Sequence, residues 1–229
     1  MIPTIDEYRY ERKYLIDNLS EYEIENIVTL HPSVFSEIFY SRYINNIYLD
    51  SNNLDNYHDN VEGVGNRHKV RIRWYGDMFR KNNRPVLEYK IKKGLLGRKD
   101  SYELKSFSID KNFGVNTLRD VFDRSSLPDS IRQDLSFLKP VLLNRYRRKY
   151  FVSFDKEYRI TIDSEMISYL LNCHANYFQN YYIDRTQNIL ELKYAHGLDA
   201  GARDISTLFP FRVTKSSKYV NGLECLCTF

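Results

Sequence analysis

The 229-residue sequence is poor in cysteine (three), proline (six) and glycine (nine). So few cysteines exclude a disulfide-dense scaffold, and Cys173, Cys225 and Cys227 have no histidine or cysteine partner at zinc-like spacing. They read as ordinary reduced thiols. No apolar run approaches the roughly 18 residues of a membrane span, and the opening Met1-Ile-Pro-Thr-Ile-Asp-Glu7 lacks the basic and apolar regions of a signal peptide. The expectation is a soluble, cytoplasmic protein. With no repeat, low-complexity tract or Pro/Gly/Ser linker, residues 1–229 are expected to form one domain. Familiar nucleotide loops are missing too. Gly63-Val-Gly65 lacks the third glycine and following helix of a dinucleotide site, and there is no Gly-Lys-Ser/Thr P-loop. His31, His58, His68, His174 and His196 are scattered without metal-ligand spacing. Charge of one sign is also scarce overall: 34 Lys and Arg against 30 Asp and Glu give a net +4, so any anionic partner must be met by locally concentrated cations.

What is present is 42% hydrophobic, 28% charged and 15% aromatic, enough for a packed core. Strand-like alternation covers residues 7–15, 44–50, 67–75, 86–92, 145–154, 158–163 and 189–194. Ser20-Glu21-Tyr22-Glu23 is a capping-box pattern, followed by Ile24, Ile27 and Val28 at helical spacing and ending near His31-Pro32. Residues 52–61 are ambiguous between coil and a short helix. Short helices are expected over 118–122 and 131–138, and Ser216-Ser217 is placed to cap a last helix carrying Lys218, Tyr219 and Leu223. Strands outnumber helices and do not alternate with them one for one, which favours an antiparallel α+β architecture. The tyrosines Tyr177, Tyr181 and Tyr182 read as packing groups rather than base-stacking platforms, and no nucleic-acid partner is expected.

Side chains on a strand alternate between faces, and the charges repeatedly fall on one face. Arg9, Glu11 and Lys13 share a face, as do Lys69, Arg71 and Arg73, then Glu88, Lys90 and Lys92 opposite Leu87, Tyr89 and Ile91. Arg145, Arg147 and Lys149 oppose Tyr146 and Tyr150, with Arg148 breaking the pattern. Arg159 and Asp163 flank Thr161, against Ile160 and Ile162, and Glu191 and Lys193 oppose Leu190 and Leu192. A single strand of this kind is an ordinary half-solvated strand. Six in the same register, dominated by Arg and Lys, point to convergence. A sheet closed into a barrel, polar side inward and helices over the apolar outside, would bring these cations together. Their crowding is tolerable if the lumen is wet and holds a polyanion, which Arg grips through its planar fork and Lys as a point charge. One or more of Glu11, Glu88, Asp163 and Glu191 could hold a divalent cation there.

The motifs resemble those of the triphosphate tunnel metalloenzymes, and within them the polyphosphate polymerase (VTC) branch. The resemblance is carried in order by Arg9-Tyr-Glu-Arg-Lys13-Tyr-Leu-Ile-Asp17, Lys69-Val-Arg-Ile-Arg73-Trp-Tyr-Gly76, Leu87-Glu-Tyr-Lys90-Ile-Lys92, Arg147-Arg-Lys-Tyr150, Arg159-Ile-Thr-Ile-Asp163, Leu190-Glu-Leu-Lys193 and Ser217-Lys218-Tyr219. It implies an antiparallel eight-stranded tunnel barrel with helices packed outside. It implies a divalent metal, Mn or Mg, and transfer of the γ-phosphoryl group of ATP to a growing polyphosphate chain. By position, Lys13, Arg71, Arg73, Lys90, Arg147 and Arg159 fall on the phosphate-binding wall. Arg147 rather than Arg145 is chosen because its distance to Arg159 fits the motif. Glu191 falls on the metal-binding glutamate, with Glu11 as a second metal candidate, and Lys218 on the basic residue near the tunnel mouth. Arg9 stands where other branches carry a second carboxylate, which argues against a thiamine-triphosphatase or adenylate-cyclase-like member. Members with membrane helices of their own move the product; here any such function is expected on a separate chain. The alternatives are a tunnel triphosphatase and a non-catalytic polyphosphate or nucleic-acid binding module.

Overall fold

A computed structural model describes residues 9–94, 96–172 and 176–227, so Cys173 and His174 lie outside the described residues. Period-2 alternation produces nine strands there: β1 (Arg9–Ile16), β2 (Ser36–Asp50), β3 (Asn66–Tyr75), β4 (Val86–Lys93), β5 (Leu96–Glu103), β6 (Lys139–Val152), β7 (Arg159–Leu170), β8 (Tyr181–Asp184) and β9 (Asn188–Ala195). The helices among the described residues are α1 (Glu21–Thr29), α2 (Asp55–Glu62), α3 (Val115–Arg124), α4 (Asp129–Leu135), α5 (Asp199–Leu208) and α6 (Lys218–Leu226). None is long and apolar enough to cross a membrane.

The strands run in the order β6-β2-β3-β4-β5-β1-β9-β7, and β7 pairs back onto β6, closing an antiparallel ring of eight. This is the expected tunnel barrel. β8 pairs with the far half of β7, Met166–Tyr169, outside the ring. Closure removes the open edges that a flat sheet would expose.

The apolar faces of the strands point outward and are covered. Ile47, Leu49, Val70, Ile72, Trp74 and Leu87 pack under α3, α4 and the segment carrying Phe107 and Phe113. Tyr14, Ile160, Ile162, Leu190 and Leu192 pack under α1 and α5. Each large apolar side chain so buried contributes roughly 1.5–3 kcal/mol, so two cores on the outside free the inside for polar groups. The α1 start forms the capping box read from the sequence: the Ser20 amide donates to Glu23 Oε2 at 2.7 Å and Ser20 Oγ accepts from the Glu23 amide.

Helix α6 departs from the outside position. Its Tyr219 and Leu223 pack with Tyr48 and Leu142, which share strand faces with tunnel residues. A Cβ on Gly222 would meet Leu142 Cδ2 at 2.8 Å and Ser168 Oγ at 2.9 Å. The helix thus rests on the inner face of β6 and β7, and only glycine permits that approach.

One strand face is corrected. Arg145, Arg147 and Lys149 do share a face of β6, but it is the outer one. In the β6–β7 register Lys149 lies opposite Ile162 and Phe151 opposite Ile160, both core residues beneath α1 and α5. The tunnel face of β6 carries Tyr146, Arg148 and Tyr150, with Arg148 opposite Asp163. Tyrosine explains the inversion. It is apolar enough to be assigned to a core, yet its hydroxyl suits a polar lumen.

Candidate functional site

The strand registers set the site. Across β3 and β4, Lys69 lies opposite Lys90 and Arg71 opposite Glu88. Across β1 and β9, Glu11 lies opposite Lys193 and Lys13 opposite Glu191. Across β7 and β9, Arg159 lies opposite Lys193 and Thr161 opposite Glu191. A cavity of about 800 Å³ opens onto this interior and is lined by Arg9, Glu11, Lys13, Lys69, Lys90 and Lys92, with Ser216 and Ser217 before α6.

Next to the cavity, Lys90 Nζ donates to both Glu11 oxygens, at 3.1 and 2.8 Å. Lys69 Nζ donates to Ser217 Oγ at 2.8 Å, and Lys13 Nζ to the Ser216 carbonyl at 3.0 Å. Burial depresses Lys69 well below its ordinary value, and Lys13 and Lys90 push it further the same way. Burial also holds Lys90 down to about 8, against the pull of Glu11. Burial works against ionisation of Glu11, yet Lys90 and Lys193 outweigh it and hold the carboxyl well below its usual range. Beyond lies a second layer. Glu88 accepts from Arg71 Nε at 2.8 Å and Lys99 Nζ at 2.7 Å, with Arg73 3.7 Å away. Arg73 also donates to Asn46 Oδ1 and the Tyr146 hydroxyl.

Deepest is the group around Asp163. Arg148 grips it with both arms, at 2.5 and 2.6 Å, and Lys218 Nζ lies 2.5 Å from Oδ2 and 3.6 Å from Glu191. Burial opposes the charge on Asp163, but Arg148 and Lys218 hold it below its ordinary value. Glu191 is likewise penalised by burial and driven well below its usual range by Lys193, Lys13, Lys218 and Arg148. Cations outnumber carboxylates in the first two layers, and in the deepest Arg148 and Lys218 balance Asp163 and Glu191. Thr161 Oγ1 and Ser216 Oγ are buried with no hydrogen-bond partner among the described residues, and a buried hydroxyl without a partner marks a place where a ligand oxygen gains most.

Of the residues expected on the wall, Lys13, Arg71, Arg73 and Lys90 are brought together inside the barrel with Glu11 and Glu191. Arg159 shares the inner face of β7 with Thr161 and Asp163 but is exposed at the strand's end. Lys218 sits in the deep layer rather than at the mouth. Arg147 is not brought in: it pairs with Glu21 of α1 at 2.8 Å and Glu165 at 3.0 Å outside the barrel. Arg148 occupies the inward position beside it. Sequence reasoning missed Arg148, Tyr146 and Lys99. The signal available for Arg148 was its parity with Tyr146 and Tyr150, once those tyrosines are set inside.

As to a metal, Glu11 and Glu191 are held ionised and their charges act on each other. Among the described residues there is no cluster of three His, Cys, Asp or Glu able to hold an ion. Both carboxylates are engaged by cations, Glu11 by Lys90 and Glu191 by Lys13, Lys193 and Lys218; their oxygens are the donor type a hard cation takes.

The family model described as the VTC domain matches residues 8–227. No curated protein matches the chain. Solved structures share the fold at low identity. PH1819 protein from Pyrococcus horikoshii superposes with a TM-score of 0.52 at 14% identity, covering 95% of this chain and 99% of that one. A candidate adenylate cyclase from Vibrio parahaemolyticus gives 0.51 at 12%, covering 94% and 98%. A candidate adenylyl cyclase from Hippeastrum, in which a triphosphatase activity dominates, gives 0.52 at 9%, covering 96% and 97%.

Proposed function

From the premise that this chain belongs to the VTC-domain family, we propose that it is a metal-dependent polyphosphate polymerase that passes the γ-phosphoryl group of ATP to the end of a polyphosphate chain. The observation that carries the reading is the like-charged pair Lys69–Lys90, facing across two strands into the tunnel cavity beside Lys13. Like charges directly opposite are destabilising; Glu11 counters Lys90, Lys69 donates to the neutral Ser217 hydroxyl, and a triphosphate would supply the remaining counter-charge. Lys13, Lys69 and Lys90 would hold the phosphates, and Arg71, Arg73 and Arg148 would stand behind them, with Arg148 in the role first given to Arg147. Arg159 and Lys193 would extend the wall toward the end of β7. Phosphoryl transfer is mainly positioning and charge stabilisation, so no side-chain nucleophile is needed. The terminal phosphate of the acceptor chain is the nucleophile, and the bond to the leaving diphosphate breaks.

Glu11 and Glu191 would hold a Mn or Mg ion jointly with phosphate oxygens; when bound it offsets charge on the leaving diphosphate. The proposed setting is cytoplasmic. A second reading, hydrolysis of triphosphate or short polyphosphate in the same barrel, is favoured by the triphosphatase activity of the Hippeastrum protein of like fold. Incubation with ATP, Mn and short polyphosphate, resolved on a gel, decides between them. A polymer ladder supports transfer; free phosphate without polymer supports hydrolysis; retained binding with no turnover leaves a binding module and rejects both.

A further inference from the structure

A second cavity, of about 400 Å³, lies on the outer side of β3 and β4 against α4. Its floor is apolar, formed by Tyr89, Ile91 and Ile131. The His68 ring stacks on Tyr89 with centroids 6.4 Å apart and planes 24° apart. Asp134, which accepts from the Tyr89 hydroxyl at 2.7 Å, stands at its side. Arg67, His68, Ile91 and Lys92 line both this cavity and the tunnel cavity, so the two are neighbours across the ends of β3 and β4. Gly65 and Gly94 are joined by a backbone hydrogen bond of 2.9 Å, and a Cβ on either would meet no atom within 4 Å. Beside them Arg67 lies directly opposite Lys92, a second like-charged pair two residues along the ladder from Lys69–Lys90.

We infer that the outer pocket receives the base of a nucleoside triphosphate whose phosphates lie on Lys13, Lys69 and Lys90, and that His68 and Tyr89 thereby select a nucleotide donor over bare inorganic oligophosphate. The inference rests on the phosphate-tunnel reading above and adds the determinant of donor class. Two residues along a strand span about 6.6 Å, so the Arg67–Lys92 pair sits where the inner phosphates of the donor would cross the ends of β3 and β4. A bare phosphate chain gains nothing from Tyr89, Ile91 and Ile131, whereas a planar heterocycle gains stacking and burial from them. Asp134 adds a carboxylate acceptor for an exocyclic amino group.

The test is titration calorimetry of the full chain with ATP and, separately, inorganic tripolyphosphate, for the unaltered protein, His68→Ala, His68→Tyr and Ile131→Trp. The last fills the pocket from α4 without touching the tunnel. His68→Ala and Ile131→Trp should each lower ATP affinity about tenfold, the scale of one lost base stack, and leave tripolyphosphate within about twofold. His68→Tyr, which restores a ring, should recover ATP affinity. Equal losses for both ligands, or ATP affinity unmoved by either variant, would overturn the pocket assignment while leaving the tunnel reading intact. Failure of the unaltered protein to bind either ligand would overturn both.

Discussion

Arg147 and Arg148 are adjacent, and the sheet separates their surroundings. Arg147 is one-third exposed, held by Glu21 and Glu165, whereas Arg148 is buried and forked onto Asp163. An exposed pair contributes about 0–1 kcal/mol. Breaking a buried one costs about 3–5 kcal/mol, because the remaining charge is left without a partner. Arg147→Ala should therefore shift the denaturation midpoint only slightly and leave tripolyphosphate affinity unchanged. Arg148→Ala should lose several kcal/mol in the same denaturant titration and, where folded, bind tripolyphosphate weakly. Lys90 gives a second residue-scale expectation. Its folded value, about 8, lies below its ordinary 10.5, so between those values the unfolded chain binds more protons. Its contribution to stability therefore rises with pH through that window. A polyphosphate needs Lys90 charged, so binding should draw protons from solution at pH 8.5, and affinity should fall as pH rises above about 8. Calorimetry in two buffers of different ionisation enthalpy measures the uptake; a null result at pH 8.5 would mean that Lys90 is already fully charged.

At the scale of elements, α6 places Lys218 in the deep layer through a contact only glycine allows. Gly222→Ala would press a methyl group on Leu142 and Ser168, and such overpacking costs about 1–3 kcal/mol. The expected result is a lower melting temperature together with weaker tripolyphosphate binding, since the helix must retreat and carry Lys218 from Asp163. Unchanged affinity with lowered stability would detach α6 from the site. Elements also show what was legible in the sequence. Strands with a strict apolar–charged alternation, β3, β4 and β9, were readable with their inner faces, as was the capping box of α1. β5 was not, because Leu-Gly-Arg-Lys-Asp-Ser-Tyr-Glu has few apolar residues to mark a face. α5 was hidden by Gly201 in its first turn, where the Tyr158 hydroxyl occupies the space a Cβ would need. The face of β6 was inverted because its outward cations are satisfied by Glu21 and Glu25 of α1, a tertiary fact that alternation along one strand does not contain. Of the site, Lys13, Lys69, Arg71, Arg73, Lys90 and Glu191 were readable from alternation, whereas Arg148 and Lys99 were not. The layering was not readable either, since it depends on ring order and on a helix contributed from the far end of the chain.

For the whole molecule, the inside of the barrel carries the unfavourable charge and the two outer cores carry the stability. Binding a polyanion should therefore stabilise the fold more than generic salt does. At a tripolyphosphate concentration 100 times its Kd the gain is about 2.7 kcal/mol, readable as a rise in melting temperature. The same rise should shrink in the Lys69→Met, Lys90→Met double variant. That variant relieves the Lys69–Lys90 repulsion but leaves Glu11 without Lys90, so the readout is the size of the ligand-induced rise and not the starting melting temperature. If the variant still responds fully to tripolyphosphate, the cavity is not where the ligand lies.

The facing lysines of β3 and β4 have a practical corollary. If the proposed phosphate site is right, phosphate or sulfate from a purification buffer would compete for it and enter the assay already seated on Lys69 and Lys90. Every apparent affinity would then report a displacement, growing weaker in proportion to the buffer ion. Chloride-based solutions, and extensive washing before the first titration, become part of defining the resting state.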